Sequence, residues 1–360
     1  MAITASGAVS FSDLRTEFVG GASAISFSSL YRGGATIRAN AGNNSSTNLA
    51  ANVPASGAIN FTNFYGAAKG FRKTYTSGAT DQDLSTIFGS DWGENYPKEV
   101  VINAGVTIGA TSTSNEALEV NSGGVGTITI TNNGTIIGAG GAAGAAGGDA
   151  FEASVACTLV NNGTISAGGG GGGAGGTGGN GQTSTTTTTT ITDFQHPVYG
   201  GTTDAQFNDE QGSWTYRWGG TVISYPQCSA CYQAGYTYSV GAYKRGSGGT
   251  YHYEITRTGP STTTTNTDGT TGGAGGVGAG YNQNVAAGST ASTATSPAGT
   301  GGTGGTGGGL GASGAQGATG ANGNHTNGAV GAVGGAAGVY IRGVSNVTLT
   351  QNGTVHGSTA

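Results

Sequence analysis

Apolar and polar residues alternate in short bursts along this chain, and three different repeats organise the bursts. In residues 1–70 the sequence Ser6-Gly7-Ala8-Val9-Ser10-Phe11-Ser12-Asp13-Leu14 returns at 22–30 and at 56–64. Each copy runs apolar, polar, apolar, then a Ser or Thr, then a Leu or Phe two residues on. That pattern predicts a β stub followed by one helical turn, with Ser12, Ser28 or Thr62 as the N-cap. Residues 71–137 alternate with a period of two at 71–75, 99–103, 106–108, 117–120 and 127–131, which predicts short strands. The stretch 81–92 reads as one helical turn, its Asp residues serving caps and turns rather than a cation. A second repeat carries Asn-Gly-Thr between apolar alternations, at 128–136, 158–165 and 347–355. Asn-Gly in that setting marks a hairpin or a solenoid turn.

The third repeat has a period of three. Glycine holds a strict triplet register from Gly299 to Gly323, and the register returns at 138–147, 169–181, 269–278 and 328–334. Three matches neither a helix nor a strand. It matches polyproline-II geometry, at about 3.1 Å per residue. A lone glycine helix is unstable because glycine loses the most freedom on ordering, so a bundle is required. The tract 168–181 is nearly all glycine and suits the middle of a bundle. Tracts with one glycine face suit its edge. The glycine tracts leave from the Asn-Gly-Thr layer and return to it.

Residues 182–268 interrupt the glycine. Threonine runs at 184–190 and 261–265 bracket the insert and read as two arms of a β stalk, since threonine favours strands. Between them lie Trp214, Tyr216, Trp218, Tyr225, Tyr232, Tyr236, Tyr238 and Tyr243. Such a cluster has the composition of a recognition surface, and equally of the core of a small β domain without aliphatics. Tyr281 opens a further loop between glycine tracts.

Composition narrows the classes. Of 360 residues 76 are glycine, only 8% are charged and the net charge is −5. A disordered chain of this kind would carry more charge. Collagen needs proline, and the chain has six, with none between Gly302 and Gly323. There is no basic footprint for nucleic acid, no apolar run long enough for membrane insertion and no apolar leader at the N-terminus. Cys228-Ser229-Ala230-Cys231, with His196 and His252 elsewhere in the insert, is expected to be a disulfide or two thiols rather than a zinc site. No catalytic motif stands out, so no enzyme, cofactor or metal is expected, and Asp204, Asp209, Glu210 and Glu254 have no spacing that sets them apart.

Ile25-Ser26-Phe27-Ser28-Ser29-Leu30, followed by Tyr31-Arg32-Gly33-Gly34, resembles N-terminal segments of tail and baseplate proteins of tailed bacteriophages. The triplet tracts joined by polar and aromatic loops, over about 138–345, resemble the glycine-rich distal adhesins of T-even-type phage tail fibres. Two departures stand out: the large insert, where that family has short loops, and the N-terminal repeat, which suits attachment to a tail or baseplate. The resemblance implies a sandwich of polyglycine-II helices whose intervening loops contact the bacterial receptor.

The expected fold is all-β and irregular. It comprises a docking module (1–70), a β connector (71–137), a platform of polyproline-II-type glycine helices (138–181 and 269–345), an inserted aromatic β module (182–268) and a C-terminal β repeat (346–360). By the resemblance the chain is a virion tail adhesin assembled in the host cytoplasm. It would dock on other tail, fibre or baseplate proteins through 1–70 and bind a bacterial outer-membrane protein or surface glycan. The candidate receptor-binding residues are the eight aromatics named above and Tyr281, and the candidate loops are the insert, 281–297 and 322–327. The alternative is a structural tail-tip or baseplate protein without a receptor role.

Overall fold

A computed structural model describes residues 3–20, 24–34, 36–37, 47–198, 202–208, 213–218, 221–225, 235–245 and 251–360. The regular secondary structure is mostly strand, with few and short helices. It divides into two units, one of 1–181 with 268–360 and the other of 182–267.

In the first unit the chain coils. Phe71–Tyr75, Lys98–Ile102, Ile128–Asn132, Cys157–Asn161 and Val347–Gln351 lie side by side, parallel and in register. Ala79–Thr80, Thr107–Gly109, Thr135–Ile137, Thr164–Ser166 and Thr354–His356 form a second parallel sheet. Gln82–Asp83, Leu118–Val120, Phe151–Ala153, Val339–Arg342 and Ser358–Thr359 form a third. Each turn of the coil thus visits three sheets, and the strands of 346–360 belong to the same coil as those of 71–137. Stacking aligns side chains of one kind. Val100, Ile130 and Leu159 form one fully buried column; Ile108, Ile136 and Ile165 form another. Each such side chain contributes about 1.5–3 kcal/mol on burial.

Register also explains the Asn-Gly repeats. They are turns between sheets, not hairpins, and their amides are stacked. Asn132 Nδ2 donates to Asn161 Oδ1 (2.8 Å) and Asn161 Nδ2 to Gln351 Oε1 (3.2 Å). An outer ladder joins Asn162 Nδ2 to Asn133 Oδ1 and Asn352 Nδ2 to Asn162 Oδ1, both 2.9 Å. Asn132 and Asn161 are fully buried, and the ladder is what satisfies them. The short helix Leu84–Phe88, capped by Asp83, buries Leu84, Ile87 and Phe88 into the same core. This agrees with the capping reading of the Asp residues there.

The N-terminal repeat forms a separate small core of Leu14, Phe18, Leu30, Val53 and Phe64 with their neighbours. Its three turns are Phe11–Phe18, Phe27–Leu30 and Phe61–Phe64. The N-caps are Ser10, Ser26 and Asn60, two residues earlier than Ser12, Ser28 and Thr62. The phenylalanine of each copy is itself the first helical residue, so the cap must precede it. Ser10 and Asp13 close a capping box, Asp13 N–H donating to Ser10 Oγ (3.2 Å) and Ser10 N–H to Asp13 Oδ2 (2.7 Å).

The glycine tracts are inserted into the coil, 138–150 ahead of Phe151–Ala153 and 167–338 ahead of Val339–Arg342. The tract 168–181 is surrounded. Gly169, Gly172, Gly175 and Gly178 donate to carbonyls of 270–279, and Gly170, Gly173, Gly176 and Gly179 to carbonyls of 312–321. Gly168 and Gly171 donate to Gly148 and Ala145. Its own carbonyls accept from Gly141 and Gly144, from Gly299, Gly302, Gly305 and Gly308, and from Ala329, Ala332, Gly335 and Gly338. Each neighbour is therefore met every third residue. The outer tracts also bond to one another, as in Gly273 N–H to Gly302 O (2.9 Å), Gly317 N–H to Ala332 O (2.9 Å) and Gly147 N–H to Ala336 O (2.9 Å). Only hydrogen fits at the contacts: a Cβ on Gly173 would stand 1.9 Å from Ala332 O.

The second unit holds two three-stranded sheets. One orders Gly181–Val198, Tyr251–Thr267 and Thr237–Arg245; the other orders Thr202–Asn208, Ser213–Trp218 and Thr221–Tyr225. The threonine arms pair through Gln182 with Asn266, Ser184 with Thr264 and Thr186 with Thr262. Residues 183–188 of one arm and 261–266 of the other are exposed.

Candidate functional site

Chain direction sorts the loops of the glycine bundle into two ends. The central tract leaves the coil after Ser166 and runs outward to Gly181. The turns at 280–284 and 309–312 lie at the coil end. Those at 293–298 and 323–327 lie at the far end, where residue 181 exits and residue 268 returns. The far end is tied together by Asn180, whose carbonyl accepts from His325 N–H (3.2 Å) and Thr326 N–H (3.1 Å) and whose N–H donates to Thr326 Oγ1 (2.6 Å). Asn324 N–H reaches Pro297 O at 3.3 Å, and Asn180 Oδ1 accepts from Gly269 N–H at 3.1 Å. Residues 324–327 are exposed. Sequence reasoning passed over Asn180. Its signal is positional: one face of the central tract reads Gly168, Gly171, Ala174, Thr177, Asn180, so the glycine register ends where the face meets water.

Tyr281 lies at the opposite end. Its N–H donates to Gly138 O (3.0 Å), and its ring lies on Gly109, where an added Cβ would meet ring carbons at 2.1–2.6 Å. The loop 281–297 therefore spans both ends, and only its second half belongs with 322–327. Tyr236 lies over Gly259 in the same manner and donates through its hydroxyl to Pro260 O (3.1 Å).

Of the other aromatics, Trp214, Tyr216 and Trp218 occupy alternate positions of the central strand Ser213–Trp218. Trp214 is paired with Phe207 on one side and Tyr225 on the other, and Tyr216 with Ile223. Tyr243 pairs with Tyr253 and Tyr238 with Arg257 in the second sheet. Tyr232, Cys228 and Cys231 lie outside the described residues. Cys157 is a free, buried core residue, and burial pushes its thiol up to about 11.

The N-terminal module offers a second surface. Phe11, Phe27 and Phe61, the first helical residue of each copy, meet edge to face with centroids 4.6, 5.3 and 5.6 Å apart. Phe11 is 40% exposed. Tyr65 donates from the third copy to Gly7 O of the first (2.6 Å), and Tyr31 from the second to Gly57 O of the third (2.5 Å). The three copies thus interlock around the phenylalanines.

Among the described residues no three or more His, Cys, Asp or Glu side chains are grouped to hold a metal, and no helix is long and apolar enough to cross a membrane.

The site thus consists of a parallel coil that carries a hydrogen-bonded glycine bundle with turns at both of its ends. The profile of the phage tail fibre adhesin Gp38 family matches residues 70–267, and the chain belongs to that family. It is accordingly a tail-fibre component of the phage virion. The matched span takes in most of the coil, the central tract and the insert, and leaves out the phenylalanine module and the later glycine tracts. No curated protein matches the chain. Among solved structures, the gp37-gp38 adhesin tip complex of the bacteriophage S16 long tail fiber is 15% identical and covers 85% of this chain and 88% of its own, with a TM-score of 0.36.

Proposed function

We propose that the chain is a receptor-binding adhesin. The far end of the glycine bundle and the aromatic insert bind a bacterial outer-membrane protein or surface glycan, and residues 1–70 dock on another tail, fibre or baseplate protein. The observation that carries this reading is the alternating direction of successive tracts. Hydrogen bonds fix the tracts so that 293–298, 323–327 and the exit of the insert come to one end, away from the coil. Loops held on a rigid, uncharged scaffold can vary without cost to the fold. The tracts are polyglycine-II helices in this reading, which their three-residue bonding period supports. Three quasi-equivalent phenylalanines around one centre suit a partner that presents one feature three times. Assembly takes place in the host cytoplasm, and the protein performs binding rather than catalysis.

Virions carrying a deletion of 191–258, and others with 322–327 replaced by Gly-Ser, test the proposal by host adsorption. Adsorption is expected to fall in at least one. Unchanged adsorption in both would leave the structural alternative, a tail-tip protein without receptor binding. Replacing Phe11, Phe27 and Phe61 together with Ser should release the chain from the particle, which composition analysis of purified virions reads directly.

A further inference from the structure

Asn-Gly occurs six times in this chain, at 133–134, 162–163, 180–181, 322–323, 327–328 and 352–353. The dipeptide is chemically labile because glycine leaves its own nitrogen unshielded and mobile. That nitrogen can attack the Asn Cγ, expel Nδ2 as ammonia and close a succinimide. Water then opens the ring to Asp or isoaspartate. The net change is one water in and one ammonia out.

The fold treats the six sites differently. At Asn162 and Asn352 in the coil the amide and the following nitrogen are both held by a neighbouring turn. Asn352 donates to Asn162 Oδ1 while Gly353 N–H donates to Asn161 O (2.8 Å). Asn162 donates to Asn133 Oδ1 while Gly163 N–H donates to Asn132 O (3.0 Å). Gly134 N–H is held by Asn132 Oδ1 (3.1 Å). At the far end of the bundle, Asn180 and Asn322 use their side-chain oxygens to hold Gly269 N–H and Gly328 N–H. Asn327 is exposed, and its side chain makes no hydrogen bond among the described residues. Its reaction partner Gly328 N is held only by the side chain of Asn322.

We propose that Asn327 is a deamidation site built into the tip loop. The consequence is electrostatic. Residues 269–338 contain no Asp, Glu, Lys or Arg, so conversion places the first fixed charge within these tracts, close in sequence to His325 and at the end of the bundle where Asp268 is exposed. For its effect on host binding the inference rests on the adhesin reading; the chemistry itself does not.

The full chain, purified and held in mildly alkaline buffer, is followed by peptide mapping for the amide-to-acid mass change and by enzymatic labelling of isoaspartate. Asn327 should convert at least about tenfold faster than Asn133, Asn162 or Asn352, the rate equivalent of one extra held hydrogen bond at ~1.4 kcal/mol. The Asn327→Gln variant should lose the corresponding acidic species on ion exchange. A synthetic peptide of 321–329 reports the rate without the fold. Conversion at Asn327 no faster than in the coil, or an acidic species that persists in Asn327→Gln, would overturn the proposal. Because no host cell enters the measurement, its failure is distinct from failure of adsorption.

Discussion

The coil and the glycine bundle solve one problem in opposite ways. Both stack extended backbone from distant parts of the sequence. In the coil the space between backbones is filled by side chains, as in the Val100, Ile130 and Leu159 column. In the bundle there is no such space, and backbones touch: a Cβ on Gly176 would stand 1.8 Å from Ala329 O. Stability in the coil comes from apolar burial. In the bundle it must come from hydrogen bonds and close packing, set against the ordering entropy of glycine. The lesson is that an added methyl group and a removed one should have opposite meanings in the two regions.

The largest effects test that contrast directly. Ile130→Ala removes atoms from a fully buried column and should cost about 2–5 kcal/mol in chemical denaturation. Gly173→Ala adds a single methyl where Ala332 O already stands, and should cost about 1–3 kcal/mol or more. Its control is Gly309→Ala, where nothing lies within 4 Å of the new atom. That variant should be neutral or stabilising by about 0.4–1 kcal/mol, since alanine restricts the unfolded chain. Equal effects at Gly173 and Gly309 would mean that the tracts do not pack as closely as their hydrogen bonds require.

Much of this contrast is written in the residues. Alternation at 98–102, 128–132 and 157–161 marks the strands because one face of each is buried. The triplet glycine register marks the tracts because each neighbour is met every third residue. The end of the 138–148 hairpin is also legible in retrospect. Gly171 must lack a side chain, since its Cβ would meet Ala142 O at 1.7 Å. The next position on that face is Ala174, and the hairpin has already turned at Gly144, with φ 73°. What the sequence hid is partnership across distance. Nothing local says that Gln351 continues an amide ladder begun at Asn132, or that the Tyr281 ring lies over Gly109. The caps at Ser10, Ser26 and Asn60 were hidden by a local ambiguity, two polar residues flanking one phenylalanine.

The amide ladders sharpen the comparison at intermediate size, because they are the coil's own use of polar contacts. Asn161→Ala removes the acceptor of Asn132 and the donor to Gln351 in a buried setting. A cost of about 1–3 kcal/mol is expected from the polar groups left unpaired. Asn162→Ala cuts the exposed outer ladder and should cost less, since water replaces the lost partners. If the two variants were equal in thermal unfolding, burial would not be what gives the inner ladder its weight.

The smallest effect concerns charge, which the bundle avoids and the coil stacks. Register brings Asp83, Glu119 and Glu152 into one row, with Arg342 beyond them. Burial, then the charge of Asp83 and of Glu152, raises the Glu119 carboxyl above its usual range; burial and the charge of Glu152 raise Glu116. A raised carboxyl in the folded state supports stability below the ordinary carboxylate range. That support is lost as pH rises through the raised value. Glu152→Gln removes the charge that faces both groups, while Arg342 keeps its bonds to Asp149. The variant should therefore unfold at a slightly higher temperature at neutral pH, by the equivalent of ~0.5 kcal/mol or less for such partly solvated groups. The gain should vanish in acid, where all these carboxyls are protonated, and shrink in high salt. A lower unfolding temperature at neutral pH would show that Glu152 contributes more through Arg342 than it costs beside Glu116 and Glu119.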